Sequence, residues 1–224
     1  MSPLECGLYV VATPIGNLGD ITLRGIEVLM SADRIACEDT RVTRKLLSRH
    51  SIKTKVISYH DHNANTVRPV LIQEIKNGGT VALVCDAGMP SISDPGYKLI
   101  RDSILAGLYV TVAPGASAGL SGLVLSGLPT DRFLFLGYLP SKSQQRRNTL
   151  EEISGISASL IFYENPERLV SSLKDMFCVL GDRPAAVLRE LTKLHEEVRR
   201  GSLNELWAHY ADNAKPRGEI VVVV

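Results

Sequence analysis

Leu8-Tyr9-Val10-Val11-Ala12, followed by Thr13-Pro14-Ile15-Gly16-Asn17-Leu18-Gly19-Asp20, is the stretch whose reading decides the fold class. Five apolar residues in a row, without polar alternation, read as a strand buried on both faces. The glycine-bearing stretch after it reads as a turn into a helix, because Leu23, Ile26, Leu29 and Met30 recur at helical spacing behind Asp20 or Thr22 as N-cap. The same rhythm continues outward, with strands expected at 34–38, 55–59, 80–86 and 109–113 and helices at 41–49, 67–77 and 97–106. Doubly buried strands alternating with helices imply a parallel sheet covered on both faces.

Around residues 114–129 the texture changes, as Gly and Ser crowd a helical-looking stretch, Ala118-Gly119-Leu120-Ser121-Gly122-Leu123. Beyond it, strands are expected at 132–137, 159–163, 185–189, 196–200 and 219–224, and helices at 166–180 and 203–211. The expected architecture is two α/β domains, residues 1–115 with a parallel sheet and 116–224 with a mixed sheet, separated by a cleft. The sequence stops on Ile220-Val221-Val222-Val223-Val224, a bare strand. Termini are normally polar and frayed, so a C-terminal tail beyond this strand is expected.

With 224 residues, 45% hydrophobic and 22% charged, the chain has the composition of a soluble globular protein and not of a disordered one. Its longest apolar candidate, residues 120–128, is broken by Gly122 and Gly127 and is too short to span a bilayer. Glu5 and the lack of a basic leading segment argue against a signal peptide. Cys6, Cys37, Cys85 and Cys178 lie far apart with no CxxC pair, which points to buried free thiols in a reducing cytoplasm and against a zinc site. A net charge of +1 hides clusters: residues 34–55 hold seven Lys and Arg against Glu38 and Asp39, and Lys142, Arg146 and Arg147 form a second group. From charge alone, a solvated face and a nucleic-acid contact are equally open readings of either cluster.

Three loops follow expected strand ends, where open α/β sheets bind ligands. The first, Thr13 to Asp20, is neither GxGxxG nor a Walker A loop, and taken alone it also serves as a plain turn. In the second, Cys85-Asp86-Ala87-Gly88-Met89-Pro90-Ser91-Ile92-Ser93-Asp94-Pro95-Gly96, the prolines and glycines build turns, whereas Asp86 ends a buried strand and must find a partner or face a ligand. The third, Ala113-Pro114-Gly115-Ala116-Ser117-Ala118-Gly119, suits either close helix packing or a ligand lying on the backbone.

The loops, together with Cys37-Glu38-Asp39-Thr40-Arg41, Tyr59-His60-Asp61-His62-Asn63, Phe162-Tyr163-Glu164-Asn165-Pro166-Glu167-Arg168, Arg189-Glu190-Leu191-Thr192-Lys193 and Pro216-Arg217-Gly218-Glu219, resemble the 16S rRNA cytidine 2′-O-methyltransferases of the tetrapyrrole-methylase superfamily. The resemblance runs in order through essentially the whole chain, and departs from the family at Ala64, where an acid is expected. It implies a two-domain homodimer that binds S-adenosylmethionine in an interdomain cleft and methylates a ribose 2′-hydroxyl of 16S rRNA or the small ribosomal subunit. The positions it implies for the cofactor are Pro14, Asp86, Gly88, Met89, Ile92, Ser117, Ala118, Tyr163, Leu188 and Pro216.

Methyl transfer is in-line displacement, so it rests on positioning, and a ribose hydroxyl needs help to lose its proton. Asp39 or Glu38 is the expected catalytic acceptor, with Arg41 on a phosphate; the competing reading is an ion pair that caps the next helix. His60 and His62 lie on a strand face or a loop and lack a third metal partner, so no metal is expected and His60 is read as an RNA contact. Lys142, Arg146 and Arg147 are expected on phosphates, not bases. Alternatives are a same-fold methylase of a tetrapyrrole or protein substrate, and a non-catalytic ribosome-assembly module.

Overall fold

β1 (Gly7–Val11) is buried at every residue because its alternate side chains enter two different cores. The structure, a computed structural model, describes residues 4–224. They form two compact units that divide between Ser117 and Ala118.

In the first unit, β1 is joined by β2 (Arg34–Cys37), β3 (Lys55–Ser58), β4 (Thr80–Leu83) and β5 (Val110–Ala113), all parallel, in the order β3-β2-β4-β1-β5. On one face Tyr9, Val11, Ile35, Cys37 and Ala82 pack with Val28 and Leu29 of α1 (Leu23–Ser31) and Leu46 and Leu47 of α2 (Thr40–Arg49). On the other, Leu8, Ala36, Val81 and Leu83 pack with Leu71 and Ile75 of α3 (Ala64–Lys76) and Leu99 of α4 (Tyr97–Leu105). Period-two alternation within doubly buried strands makes both cores from one sheet.

Two helices differ from the sequence reading. Thr22 caps α1 by accepting the Gly25 N–H at 3.0 Å, but Leu23 and Met30 are exposed. The buried stripe is Gly25, Val28 and Leu29, because a Cβ on Gly25 would stand only 3.4 Å from Val11 and this side lies flush on β1. α3 begins at Ala64, not Val67, and runs through Pro69, whose ring forfeits one helical hydrogen bond. Its start is held instead by the Ala64 and Val67 N–H groups on the His60 and Asn63 carbonyls. Ala64 itself is buried in the core.

The second unit contains β6 (Phe133–Tyr138), β7 (Ser159–Glu164), β8 (Pro184–Arg189), β9 (Glu197–Ser202) and β10 (Ile220–Val223) in the order β6-β7-β10-β8-β9. Only β6 and β7 pair in parallel, so the sheet is mixed. α6 (Ser143–Ile153), α7 (Leu169–Leu180) and α8 (Leu203–Asp212) build the core on one face. α5 (Ala118–Ser126) covers the other, so close that a Cβ on Gly122 would come within 2.8 Å of Val221. Among the described residues, no helix is long and apolar enough to cross a membrane, and no group of three or more His, Cys, Asp or Glu is arranged to hold a metal ion. The cysteines are free thiols, with Cys37 and Cys85 buried as expected but Cys6 and Cys178 exposed.

Candidate active site

Five parallel strands put five carboxyl ends on one edge of the first sheet, where ligands of open α/β sheets bind. The loops after β1 and β4 are joined there. The Thr13 N–H donates to the Gly88 carbonyl at 2.9 Å, and the Gly88 N–H donates back to the Thr13 carbonyl at 3.0 Å. The buried Thr13 hydroxyl donates to the Cys85 carbonyl at 3.1 Å. Gly88 has φ +80°, and a Cβ there would stand 3.4 Å from Ile15 Cγ2 and 3.8 Å from the Ala116 carbonyl oxygen. Residues of three loops therefore meet at one glycine.

Gly115 continues the close approach, with a would-be Cβ 3.1 Å from that of Ala12. Pro14 is buried beside this junction in sequence, Met89 and Ser117 are half-buried, and Ile92 is exposed. Ile92 sits between Ser91 and Ser93, whose φ values of 71° and 59° are left-handed. Such residues cost about 1–3 kcal/mol each and persist where the surroundings over-determine them. The arrangement is a cradle of backbone groups and small side chains.

Beside it, β2 leads into Glu38 and Asp39. Asp39 caps α2: its carboxylate accepts the Arg41 N–H at 2.7 Å and binds the Arg41 guanidinium through Nε and Nη2, the shortest contact being 2.6 Å. The Asp39 N–H donates to Asp86 Oδ1 at 3.0 Å, so the acid in the loop after β4 holds the turn after β2. The hydrogen bonds from Arg41 hold the Asp39 carboxyl down at about 2. Burial, then the charges of Asp86 and Asp61, push the Glu38 carboxyl up, with His60 opposing. Of the two expected acceptors, Glu38 is thus the stronger base, while Asp39 is engaged as a cap and ion-pair partner. Arg41 keeps 85% of its side chain exposed despite the pair.

His60 follows β3 in a turn, not on a strand, and its N–H donates to Asn63 Oδ1 at 2.9 Å. Its ring packs edge-on against His62, and its Nδ1 is buried with no hydrogen-bond partner among the described residues. Thr13 and Asp61 were not singled out by the sequence reading. Thr13 lies in the quoted first loop and Asp61 in the histidine motif, but only tertiary contact gives either a role.

In the second unit, Tyr163 and Leu188 both register with Val221 of the intervening β10, so three side chains form a row across the sheet on the face that α5 covers. The Tyr163 ring packs edge-on against Phe135 and Tyr138. Pro216 is half-buried in the segment before β10, and Ala118 opens α5. The next residue, Arg217, accepts Arg189 Nη1 on its carbonyl at 3.2 Å.

The expectation for the second basic cluster fails at Arg146. Its guanidinium is buried, 3% exposed, on Asp175 at 2.6 Å, so it cannot reach a phosphate. Arg147 shares that carboxylate at 2.7 Å, with its side chain 39% exposed. Ser143 also donates to Asp175. Of the three, only Lys142 is exposed and without an ion pair among the described residues. Glu164 and Arg168 of the motif after β7 are likewise structural: Glu164 is buried, bound to Arg168 at 2.8 Å and hydrogen-bonded by Ser172.

The family model described as Tetrapyrrole (Corrin/Porphyrin) Methylases matches residues 7–206. The chain is 53% identical over 223 residues to a ribosomal RNA small subunit methyltransferase I from Mesorhizobium japonicum, covering 99% of this chain and 76% of the relative. It is 51% identical over 217 residues to the protein of the same name from Halalkalibacterium halodurans, covering 97% and 75%. Among solved structures, a diphthine synthase matches with TM-score 0.73 at 17% identity, covering 97% of this chain and 88% of that one. A uroporphyrin-III-C-methyltransferase from Thermus thermophilus matches with TM-score 0.67 at 20% identity, covering 98% and 94%. At those identities the structures speak for the fold alone.

Proposed function

Since the chain belongs to the tetrapyrrole (corrin/porphyrin) methylases, we propose that it transfers a methyl group from S-adenosylmethionine to a cytidine ribose 2′-hydroxyl of small-subunit (16S) ribosomal RNA, acting as a cytoplasmic homodimer. Identity above one half, over nearly the whole chain, to relatives named for small-subunit ribosomal RNA supports the substrate class. The observation that carries the chemistry is the adjacency, on one sheet edge, of a backbone cradle centred on Gly88 and a carboxylate, Glu38, with raised proton affinity.

The cradle suits the cofactor. A nucleoside carrying a cationic sulfonium needs close backbone approach and neighbouring negative charge; Gly88 and Gly115 leave the first, and Asp86 supplies the second. We assign Pro14, Asp86, Gly88, Met89, Ile92, Ser117 and Ala118 to its binding, with Tyr163, Leu188 and Pro216 added on the family pattern alone. S-adenosylmethionine, when bound, supplies a methyl carbon activated by the adjoining sulfonium. Glu38 would accept the proton of the ribose 2′-hydroxyl while its oxygen takes the methyl group and the carbon–sulfur pair leaves on the neutral thioether, so no free alkoxide is needed. Asp39 fixes the start of α2 and the fork of Arg41, whose Nη1 remains for an RNA phosphate. His60 borders Glu38 and is assigned to the same RNA segment.

The test uses methyl-labelled S-adenosylmethionine and unmodified small ribosomal subunits, with alkaline digestion of the labelled RNA. Alkali needs a free 2′-hydroxyl, so label in a resistant dinucleotide is expected. Label confined to mononucleotides would place the methyl on a base and overturn the assignment.

A further inference from the structure

α2 has an unusual outer face. Arg41, Arg44, Lys45, Ser48 and Arg49 are all exposed, while Thr43, Leu46 and Leu47 are buried. At about 100° per residue these five positions fall within one arc of the helix, opposite the core stripe, with the exposed Val42 at its edge. Lys53 and Lys55, also exposed, continue the run toward and into β3. No Asp or Glu occurs from Arg41 to Lys55. Arg44, Lys45, Arg49, Lys53 and Lys55 form no ion pair among the described residues, whereas Arg34, Arg68, Arg146, Arg168 and Arg189 are each bound to a carboxylate. In a chain with net charge +1, this is segregation of charge and not a general excess.

We propose that this face of α2, continued by Lys53 and Lys55, is the surface that docks the phosphate backbone of the RNA substrate; the inference rests on the ribosomal RNA methyltransferase reading above. Lysine and arginine along an exposed face, with no interleaved aromatic residue to stack on a base, suit phosphate contacts that position a strand. Neighbouring cations within a Debye length of about 8 Å reinforce one another. The stripe from Arg41 to Arg49 is about 12 Å long, at about 1.5 Å per residue. It starts at Arg41, three residues beyond Glu38, so a strand laid along it is led to the proposed proton acceptor. An anionic membrane is the poorer partner, because the apolar face that would enter lipid, Leu46 and Leu47, is already in the core.

The test compares the full chain with Arg44→Gln/Lys45→Gln/Arg49→Gln, using unmodified 16S rRNA transcript across a salt series. With three phosphate contacts removed, the slope of log K against log salt is expected to fall by about 2, and KM for RNA to rise at least about tenfold. KM for S-adenosylmethionine and the thermal midpoint stay unchanged. Arg44→Lys/Arg49→Lys, which keeps the charge, retains the slope, and Lys76→Gln/Lys98→Gln, exposed cations on other helices, leaves it unaltered. A triple variant with unchanged slope and RNA KM, in a wild type that methylates the transcript, overturns this inference alone. A wild type that neither binds nor methylates RNA overturns the functional reading and this inference with it; loss of binding to phosphatidylserine vesicles, with RNA binding unchanged in the triple variant, overturns this inference alone.

Discussion

Glu38 and Asp39 are neighbours in the chain with opposite proton affinities, and the difference comes from what touches them. Asp39 meets the Arg41 guanidinium and a backbone N–H, which favour the anion; Glu38 is partly desolvated and faces Asp86 and Asp61, which disfavour it. Glu38→Gln is therefore expected to lower kcat by about 10²–10⁴-fold, the usual contribution of a positioned base, with little change in cofactor KM. Asp39→Asn keeps a good N-cap and should leave turnover within about tenfold, because asparagine caps nearly as well as aspartate. With Glu38 as the proposed proton acceptor, needed as its anion, kcat is expected to rise with pH through a value above that of an ordinary glutamate. Asp86→Asn preserves an acceptor for the Asp39 N–H but removes a negative neighbour, so that limb of the kcat–pH profile should move to lower pH. A profile left in place by Asp86→Asn would rule out the coupling. None of this was legible in the residue order, where the two acids were interchangeable; it required the ends of β2, β3 and β4 to meet.

At the scale of elements, the loops and the capped helices behave as units. Gly88→Ala adds a Cβ at φ +80° where three loops converge, at a cost of about 1–2 kcal/mol in backbone energy. The larger expected effect is loss of S-adenosylmethionine affinity, measurable by calorimetry, with the thermal midpoint falling only modestly. α6 presents the opposite case. Its sequence has only Leu150 and Ile153 as apolar core contributors, so the helix was invisible to hydrophobic periodicity; Arg146 occupies a core-facing position because Asp175 of α7 neutralises it. Removing that carboxylate with Asp175→Ala leaves a buried, unpaired guanidinium, and a loss of about 3–5 kcal/mol in unfolding free energy is expected by urea titration. Arg146→Ala should fail in folding for the same reason, not in RNA affinity. Two positions on one polar stretch thus differ in role: Lys142 stands outside the helix as the exposed residue before its first turn, whereas Arg146 lies inside α6 on Asp175.

Across the molecule, carboxylates with lowered proton affinity occur in both units. Asp33 is held down by hydrogen bonds from Thr80, and Glu190 by Lys193. Burial would raise Asp175, but Arg147, Ser143 and Arg146 outweigh it. Each contributes stability that is complete above the unfolded-state value and is lost as pH falls through the folded one, so urea midpoints should hold near neutrality and drop below the ordinary carboxylate range. Burial raises the Cys85 thiol, which should therefore resist alkylating reagents in the native protein while Cys6 and Cys178 react. The sequence by itself determined the α/β class, the two successive sheets and the order of their strands, though not α6, because strand burial, helical spacing and turn residues are local signals that survive without neighbours. It also marked the strand-end loops as the place for chemistry. Only the tertiary structure decided which of the two acids holds its proton more tightly, which arginines are structural and which cations stay out of ion pairs among the described residues. Those properties depend on distances between segments tens of residues apart, Asp86 to Asp39 and Asp175 to Arg146, and on Arg44, Lys45 and Arg49 forming no ion pair among the described residues.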